Sequence, residues 1–391
     1  MLSKIQLNRN LSVMSATILV NVFVIFTWNP LLPLHLRDLG ANDSEIGISF
    51  TLMTIARTLF AVLGGALADR FGRRLLLTLP HYASAVLYLL AGVTGNWVAL
   101  VAILVSTNAL NAVLNPAFNA IIAESLTEDR VARAYSATEI AVLGGLILGP
   151  VVGAGLVAFV GIPTLMIAHG VTLFFTTTAR LLGITEPPHC ANQTRTKDSC
   201  SARFTRQAHR SQQHDHNAFG ICFGPYFTIL ARDVWQNSES EINLLFALGN
   251  VAALVGVAFG HRADRWGAWR VLLLGMFVFA FGVAGWGIAP TWQIGMAPLL
   301  IAFFFSEGAF IALQTIQAQL TTRETRTSVM GVIATVSGII GGLGPAIGAW
   351  LAAWGGNSAP FIACAVMSVI AIAASFGFSK RRPAAQEATA I

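Results

Sequence analysis

The sequence predicts an all-α integral membrane protein whose twelve transmembrane helices form two pseudo-symmetric six-helix bundles. Three observations carry this. Of 391 residues, 55% are hydrophobic and 11% charged, whereas soluble domains carry about a quarter charged; the chain lacks the polar surface to cover a globule of its size. Twelve apolar runs can each cross a hydrocarbon core of about 30 Å as a helix, six on either side of the polar stretch 183–216. The second half also repeats elements of the first at an offset of 195 residues, the mark of one unit used twice. The alternating segments of a membrane β-barrel are absent.

The predicted spans, numbered 1 to 12, are 11–34, 45–68, 75–95, 97–122, 135–159, 161–182, 217–235, 242–261, 270–289, 292–318, 328–353 and 356–378. Residues 1–182 make a first bundle, 183–216 a cytoplasmic central loop, and 217–391 a second bundle with a short cytoplasmic tail. Basic residues collect on one side, at Lys4 and Arg9, Arg70, Arg73 and Arg74, Arg130 and Arg133, Arg195 to Arg210, Arg262, Arg265 and Arg270, Arg323 and Arg326, and Lys380 to Arg382. The opposite connections hold few, with Arg37 and Arg232 near them. The positive-inside rule therefore places both termini in the cytoplasm of a plasma (inner) membrane protein. The net charge of +6 marks this topology and argues against a nucleic-acid partner. The first apolar run is too long for a cleavable signal peptide.

Spans 1 and 7 carry helix-breaking prolines, Pro30 and Pro33 in one and Pro225 in the other. Such breaks suit a helix facing protein or a wet cavity, so Asn21, Trp28 and Tyr226 are candidate cavity residues; packing kinks with interfacial aromatics are the alternative. Span 2 holds Arg57 in an apolar run, where an arginine costs at least about 2.5 kcal/mol and needs a partner. Span 4 places Asn108, Asn111, Asn115 and Asn119 at steps of three and four. Span 10 answers in the same register with Phe303, Ser306, Phe310 and Gln314, beside Glu307. These stripes are read as cavity lining, with interhelical glue as the alternative. Span 5 carries Gly145, Gly149, Pro150 and Gly153, and span 11 repeats the end of the run at Gly344, Pro345 and Gly348, small residues that let helices approach closely. His169 in span 6 reads as a buried histidine with its hydrogen bonds satisfied. Asp38 and Asp233, each next to an arginine at the outer surface, read as structural. The central loop is a polar tether; its histidines and cysteines match no compact four-ligand pattern, so no metal is expected.

The most specific stretch is Gly65-Ala-Leu-Ala-Asp69-Arg70-Phe-Gly72-Arg73-Arg74, repeated in degenerate form at Gly260, Asp264, Arg265 and Gly267. With twelve spans in two halves, this resembles the major facilitator superfamily across nearly the whole chain. The resemblance implies a carrier whose bundles rock about a midplane site lined by spans 1, 4, 7 and 10. It also implies that Asp69 and Asp264, with their neighbouring arginines, gate the cytoplasmic side. The run in span 5 resembles the antiporter motif of exporters that exchange drugs for protons, which favours export. One departure stands out. Where such exporters usually carry an arginine in span 4, this chain is apolar near Leu104.

Coupling to protons is therefore assigned first to Glu307, a lone carboxylate within an apolar helix, then to Glu139 or Arg57. The expected protein is a monomeric secondary transporter moving a small molecule, without a cofactor and outside the enzymes, since no phosphate loop, His-Glu-x-x-His or Gly-x-Ser-x-Gly occurs. The alternatives are an importer or exchanger of a polar or anionic solute, and a transport-inactive receptor or scaffold of the same fold.

Overall fold

A computed structural model of the chain describes residues 9–71, 73–124, 128–184, 224–260, 263–320 and 335–379. Among these residues there is helix for each predicted span and no strand. Span 1 is Arg9–Phe26, continued by a 3-10 turn, Asn29–Leu31, and a short helix, Leu32–Asp38. The break follows from Pro30, which has no N–H to return to Phe26. The chain tightens into three-residue bonds instead, Thr27 N–H to Val24 O at 3.2 Å and Leu31 N–H to Trp28 O at 2.9 Å, as 3-10 geometry requires.

Span 2, Asp43–Phe71, and span 8, Glu239–Gly260, begin two and three residues earlier than predicted. Each is started by a reciprocal cap. Glu45 N–H donates to Asn42 Oδ1 while Asn42 N–H donates to Glu45 Oε2, at 2.9 and 2.8 Å. Ser238 and Glu241 do the same in the second half. Spans 3 and 4 are Arg73–Val93 and Trp97–Glu124. Spans 5 and 6 form one segment, Glu128–Gly183, which turns back at Gly161. In the second half, Tyr226–Asp233 is the described part of span 7, and a short helix, Ala263–Trp266, follows span 8. Spans 9 and 10 are Ala268–Ile288 and Trp292–Leu320. Span 11 ends in Gly344–Gly355, and span 12 is Ala359–Ser379.

Lipid tails are as apolar as leucine, so close packing and hydrogen bonds hold these helices together. The glycines of span 5 supply the first. A Cβ at Gly145 would lie 2.7 Å from Val22 Cβ, one at Gly149 would lie 2.5 Å from Phe23 O, and one at Gly153 would strike the Thr27 carbonyl. Spans 1 and 5 thus touch backbone to backbone. Polar bonds join spans 1 and 6, where Thr176 Oγ1 donates to Asn21 Oδ1 at 2.8 Å and Arg180 Nε donates to Thr17 Oγ1 at 2.8 Å. The two rungs are one helical turn apart on both antiparallel helices. Arg180 is only 4% exposed, and it also contacts His81 Nδ1 at 3.3 Å. That nitrogen also lies 2.9 Å from Leu77 O. It serves one neighbour at a time, as an acceptor for Arg180 or a donor to Leu77.

The largest buried cluster sits toward the ends of both bundles that carry Arg37 and Arg232, the outer ends in the orientation predicted from charge. In the second, Phe227 stacks on Trp286 with ring centres 4.7 Å apart, and Trp235 meets Trp286 edge-on. In the first, His169 lies against Tyr88 with ring centres 4.1 Å apart, and Trp28 leans on both. Among the described residues His169 Nδ1 has no hydrogen-bond partner, which corrects the expectation of a satisfied histidine. Ring packing against Tyr88 and Trp28 holds it.

Candidate functional site at the seam between the bundles

The two bundles meet along two lines, span 2 against span 11 and span 5 against span 8. On the first, Gly47 leaves no room for a side chain: a Cβ there would lie 2.7 Å from Ala349 Cβ, Pro345 O and Tyr226 Oη. Further in, Thr51 Oγ1 accepts from Ala346 N–H at 3.0 Å, and Gly342 and Gly338 pack on Thr54, Ile55 and Thr58. On the second, Asn250 Nδ2 donates to Leu146 O at 3.1 Å, and beside it Asn243 Nδ2 of span 8 donates to Thr27 O of span 1 at 3.1 Å. Thr228 Oγ1 adds a bond to Pro30 O at 2.7 Å. At the outer rim Arg37 spans the gap to Asp233.

Two acceptors on this seam, Leu146 O and Thr27 O, are carbonyls set free by breaks in their own helices. Leu146 O would normally receive the N–H of residue 150, but residue 150 is proline and has none. Asn250 supplies the missing donor from the other bundle. Thr27 O is left over in the same way where span 1 tightens at Pro30. Proline in the span 5 run therefore does more than bend the helix, because it exposes an acceptor at mid-membrane for span 8 to bind.

These contacts reach about 22 Å down span 2, at Thr58, and about 16 Å down span 8, at Asn250, counted from the outer helix ends at 1.5 Å per residue. Both depths are half-way along their helices. The outer half of the seam is closed.

Against this geometry the predicted site residues fall into groups. Trp28 is 1% exposed and Tyr226 2%; the first is packed inside its bundle, and the second gives its hydroxyl to Pro345 O at 2.7 Å. Asn21 turns its carbonyl to span 6. Asn108 donates to its own helix at Leu104 O, and Asn111 faces span 3, meeting Ser84 and the Tyr88 hydroxyl. Phe303 packs over Gly249 of span 8, and Phe310 is half-buried. Arg57, Glu139 and Glu307 are each half-buried and engaged by a neighbour. Gly344, Pro345 and Gly348 are buried.

The inner signature is only partly described. Gly65, Asp69 and Arg70 lie in span 2, and Arg73 and Arg74 open span 3, but their side chains fall outside the described ones, as do those of Asn115, Gln314, Gly260 and Asp264; Gly72 lies outside the described residues. In the second copy Arg265 is exposed, and Gly267 sits at φ +86° ahead of span 9. Only glycine adopts that conformation without strain, so one motif glycine has a steric cause. Asn243, Asn250, Thr51 and Thr228 were missed from sequence. The signal for the first pair was present, because a separation of seven places both amides on one helical face.

The sequence matches the family model of the Major Facilitator Superfamily over residues 14–213 and 217–390. The chain belongs to that superfamily. It is similar to the multidrug resistance protein MdtG of Serratia proteamaculans, 26% identical over 385 residues and covering 90% of each chain. It is also similar to the multi-drug resistance efflux pump PmrA of Streptococcus pneumoniae, 24% identical over 364 residues and covering 85% of this chain and 87% of that one. Among solved structures, a bacterial homologue of the human lysosomal transporter Spinster, inward-facing and occupied, superposes with a TM-score of 0.73 at 16% identity, over 95% of this chain and 96% of that one. The nucleoside transporter NupG superposes with a TM-score of 0.74 at 14% identity, over 96% and 100%. The chain is thus a multi-pass membrane transporter of this superfamily, with the twelve-helix, two-bundle architecture its composition predicts.

Proposed function

We propose that this transporter exports small amphipathic compounds by alternating access, in exchange for protons. The observation that carries the reading is the seam. Two bundles of common design are joined over its outer half by single hydrogen bonds and glycine contacts, which a rocking motion can part and remake. The similarity to MdtG and PmrA supports export of drug-like cargo.

In this reading Glu307, Glu139 and Arg57 are the coupling candidates. The faces carrying Asn108, Asn111, Asn115, Phe303, Phe310 and Gln314 line the path once the bundles separate, with Tyr226, packed on Gly47 across the seam, at its outer end. Asp69 with Arg70, Arg73 and Arg74, and Asp264 with Arg265, gate the cytoplasmic side. The protein acts as a monomer in the plasma (inner) membrane, its termini and the 183–216 tether in the cytoplasm.

The test is proton movement in proteoliposomes under an imposed pH gradient, on addition of cationic drugs, sugars or organic anions. Wild type and Glu307→Gln are compared. Drug-dependent flux that is lost in the variant supports the exchanger with Glu307 as proton carrier, and flux that persists moves that role to Glu139 or Arg57. A response to sugars or anions alone replaces export with exchange of a polar solute. Silence with every compound removes proton coupling.

A further inference from the structure

We propose that Arg37 and Asp233 are the latch of the outer rim, a single ion pair that must part before the carrier opens outward. The pair joins the bundles at the membrane surface. Arg37 Nη1 meets Asp233 Oδ1 at 2.6 Å and Nη2 meets Oδ2 at 3.2 Å, the bidentate fork that orients both groups. Both side chains are about one-third exposed, at the edge of a polar cleft of about 420 Å³ that also holds Asp38, Arg232 and Glu239. Water reaches the pair, so it can be broken.

Each partner has a second holder in its own bundle. Arg37 Nη2 also contacts Asp43 Oδ1 at 2.6 Å, and Asp233 Oδ2 also accepts from Asn357 Nδ2 at 3.3 Å. When the rim parts, neither charge is left alone.

The latch is one-sided although its parts are duplicated. Arg37-Asp38 and Arg232-Asp233 are equivalent at the 195-residue offset, so symmetry calls for a second pair, Arg232 with Asp38. Among the described residues that pair is not made, and Arg232 Nη1 instead donates to Asn237 O of its own bundle at 3.0 Å. The cause lies in the turn that follows. In the first half Ala41 N–H closes on Leu36 O; in the second, Asn237 N–H closes on Ala231 O, one residue further round. The left-handed position shifts with it, from Gly40 at φ +97° to Gln236 at φ +56°. With that extra residue the Asn237 carbonyl meets Arg232 Nη1, and the guanidinium is held within its own bundle.

The proposal rests on alternating access, and its test needs no substrate, so the two fail separately. Thr228→Cys is a probe on the seam just below the latch, placed in full-length protein whose native cysteines are replaced by serine. A membrane-impermeant maleimide is applied from outside. Asp233→Asn and, from the other bundle, Arg37→Gln should each raise labelling roughly two- to fivefold, the range for a partly exposed pair. Asp38→Asn and Arg232→Gln should leave it unchanged, and Asp43→Asn should leave it unchanged or lower it. Gel filtration of each variant excludes unfolding as the source of reactivity. Unchanged labelling in both latch variants overturns the proposal, and so does an equal rise with Asp38→Asn and Arg232→Gln. A rise confined to the latch variants in a protein that moves no compound keeps the latch and removes the exporter.

Discussion

Asn250 donates to the carbonyl of Leu146 across the bundles, 3.1 Å away, and that carbonyl is free because Pro150 follows it by four residues. Side-chain hydrogen bonds between membrane helices are worth about 0.6 kcal/mol, and up to about 1.7. Asn250→Ala should therefore loosen the closed seam by about 1 kcal/mol, roughly a fivefold change in the closed-to-open ratio. Spin labels at Gly95 and Thr291, exposed on the outer ends of different bundles, would show a longer distance gaining population. Pro150→Ala offers Leu146 O a donor within its own helix, so adding Asn250→Ala to it should do little more. Additive effects would mean that the proline does not expose the acceptor.

The glycines of span 5 are expected to differ sharply in tolerance. Gly149→Ala and Gly153→Ala drive a methyl into the backbone of span 1, and overpacking of this kind costs about 1–3 kcal/mol. Gly155, two residues on, has nothing within 4 Å; alanine there should be neutral or stabilise by up to about 1 kcal/mol through helix propensity. Thermal unfolding in detergent of the three variants checks this, and equal midpoints would remove the close contact.

Arg180 and Thr17 should behave as a coupled pair. Thr17→Val removes the acceptor under a buried guanidinium and should cost about 1–3 kcal/mol. Arg180→Met removes the charge itself and should cost less, because an apolar replacement of similar volume is often nearly neutral. The double variant should then resemble Arg180→Met alone. A double-mutant cycle on unfolding free energy measures the coupling, and strict additivity would show that the rung carries no energy.

The two outer turns make a paired prediction. Gly40→Ala places a side chain at φ +97° and should destabilise by about 1 kcal/mol. Gln236→Gly relieves a non-glycine residue at φ +56° and should stabilise by a fraction of that, since it also gives up the bond from Gln236 Nε2 to Asp233 O. Opposite shifts in unfolding temperature are expected; shifts of the same sign would contradict the assigned turn geometry.

Much of this architecture was legible before any coordinates. Long apolar runs, alternating positive charge and the 195-residue repeat place the spans, because a bilayer constrains length and backbone bonding so tightly. Partners were harder to read. Arg180 lies three residues from the inner end of span 6, where an arginine ordinarily looks like a cytoplasmic marker. Helical side chains lean toward the N-terminus, and on a helix running inward that carries the guanidinium back into the membrane. Arg37 beside Asp38 looked like a local pair, and its true partners, Asp43 and Asp233, depend on how the bundles dock. The one-residue difference between the turns at Gly40 and Gln236 is visible only in the bonding pattern. Trp28 and Asn21 share a proline-broken helix with real seam acceptors, yet they face the opposite way, a matter of rotation that spacing near a break cannot resolve.

Spans 5 and 6 are joined by almost nothing. Gly161, at φ +71° and ψ +164°, occupies a region essentially closed to other residues, and it reverses the chain with no loop to spare. A connector without slack transmits force. Span 5 touches the opposite bundle through Leu146, and span 6 grips span 1 through Thr176 and Arg180. In a rocking carrier a tilt of span 5 would therefore carry span 6 and, with it, the base of span 1, making the first bundle a stiff lever whose pivot arm is set by a single residue.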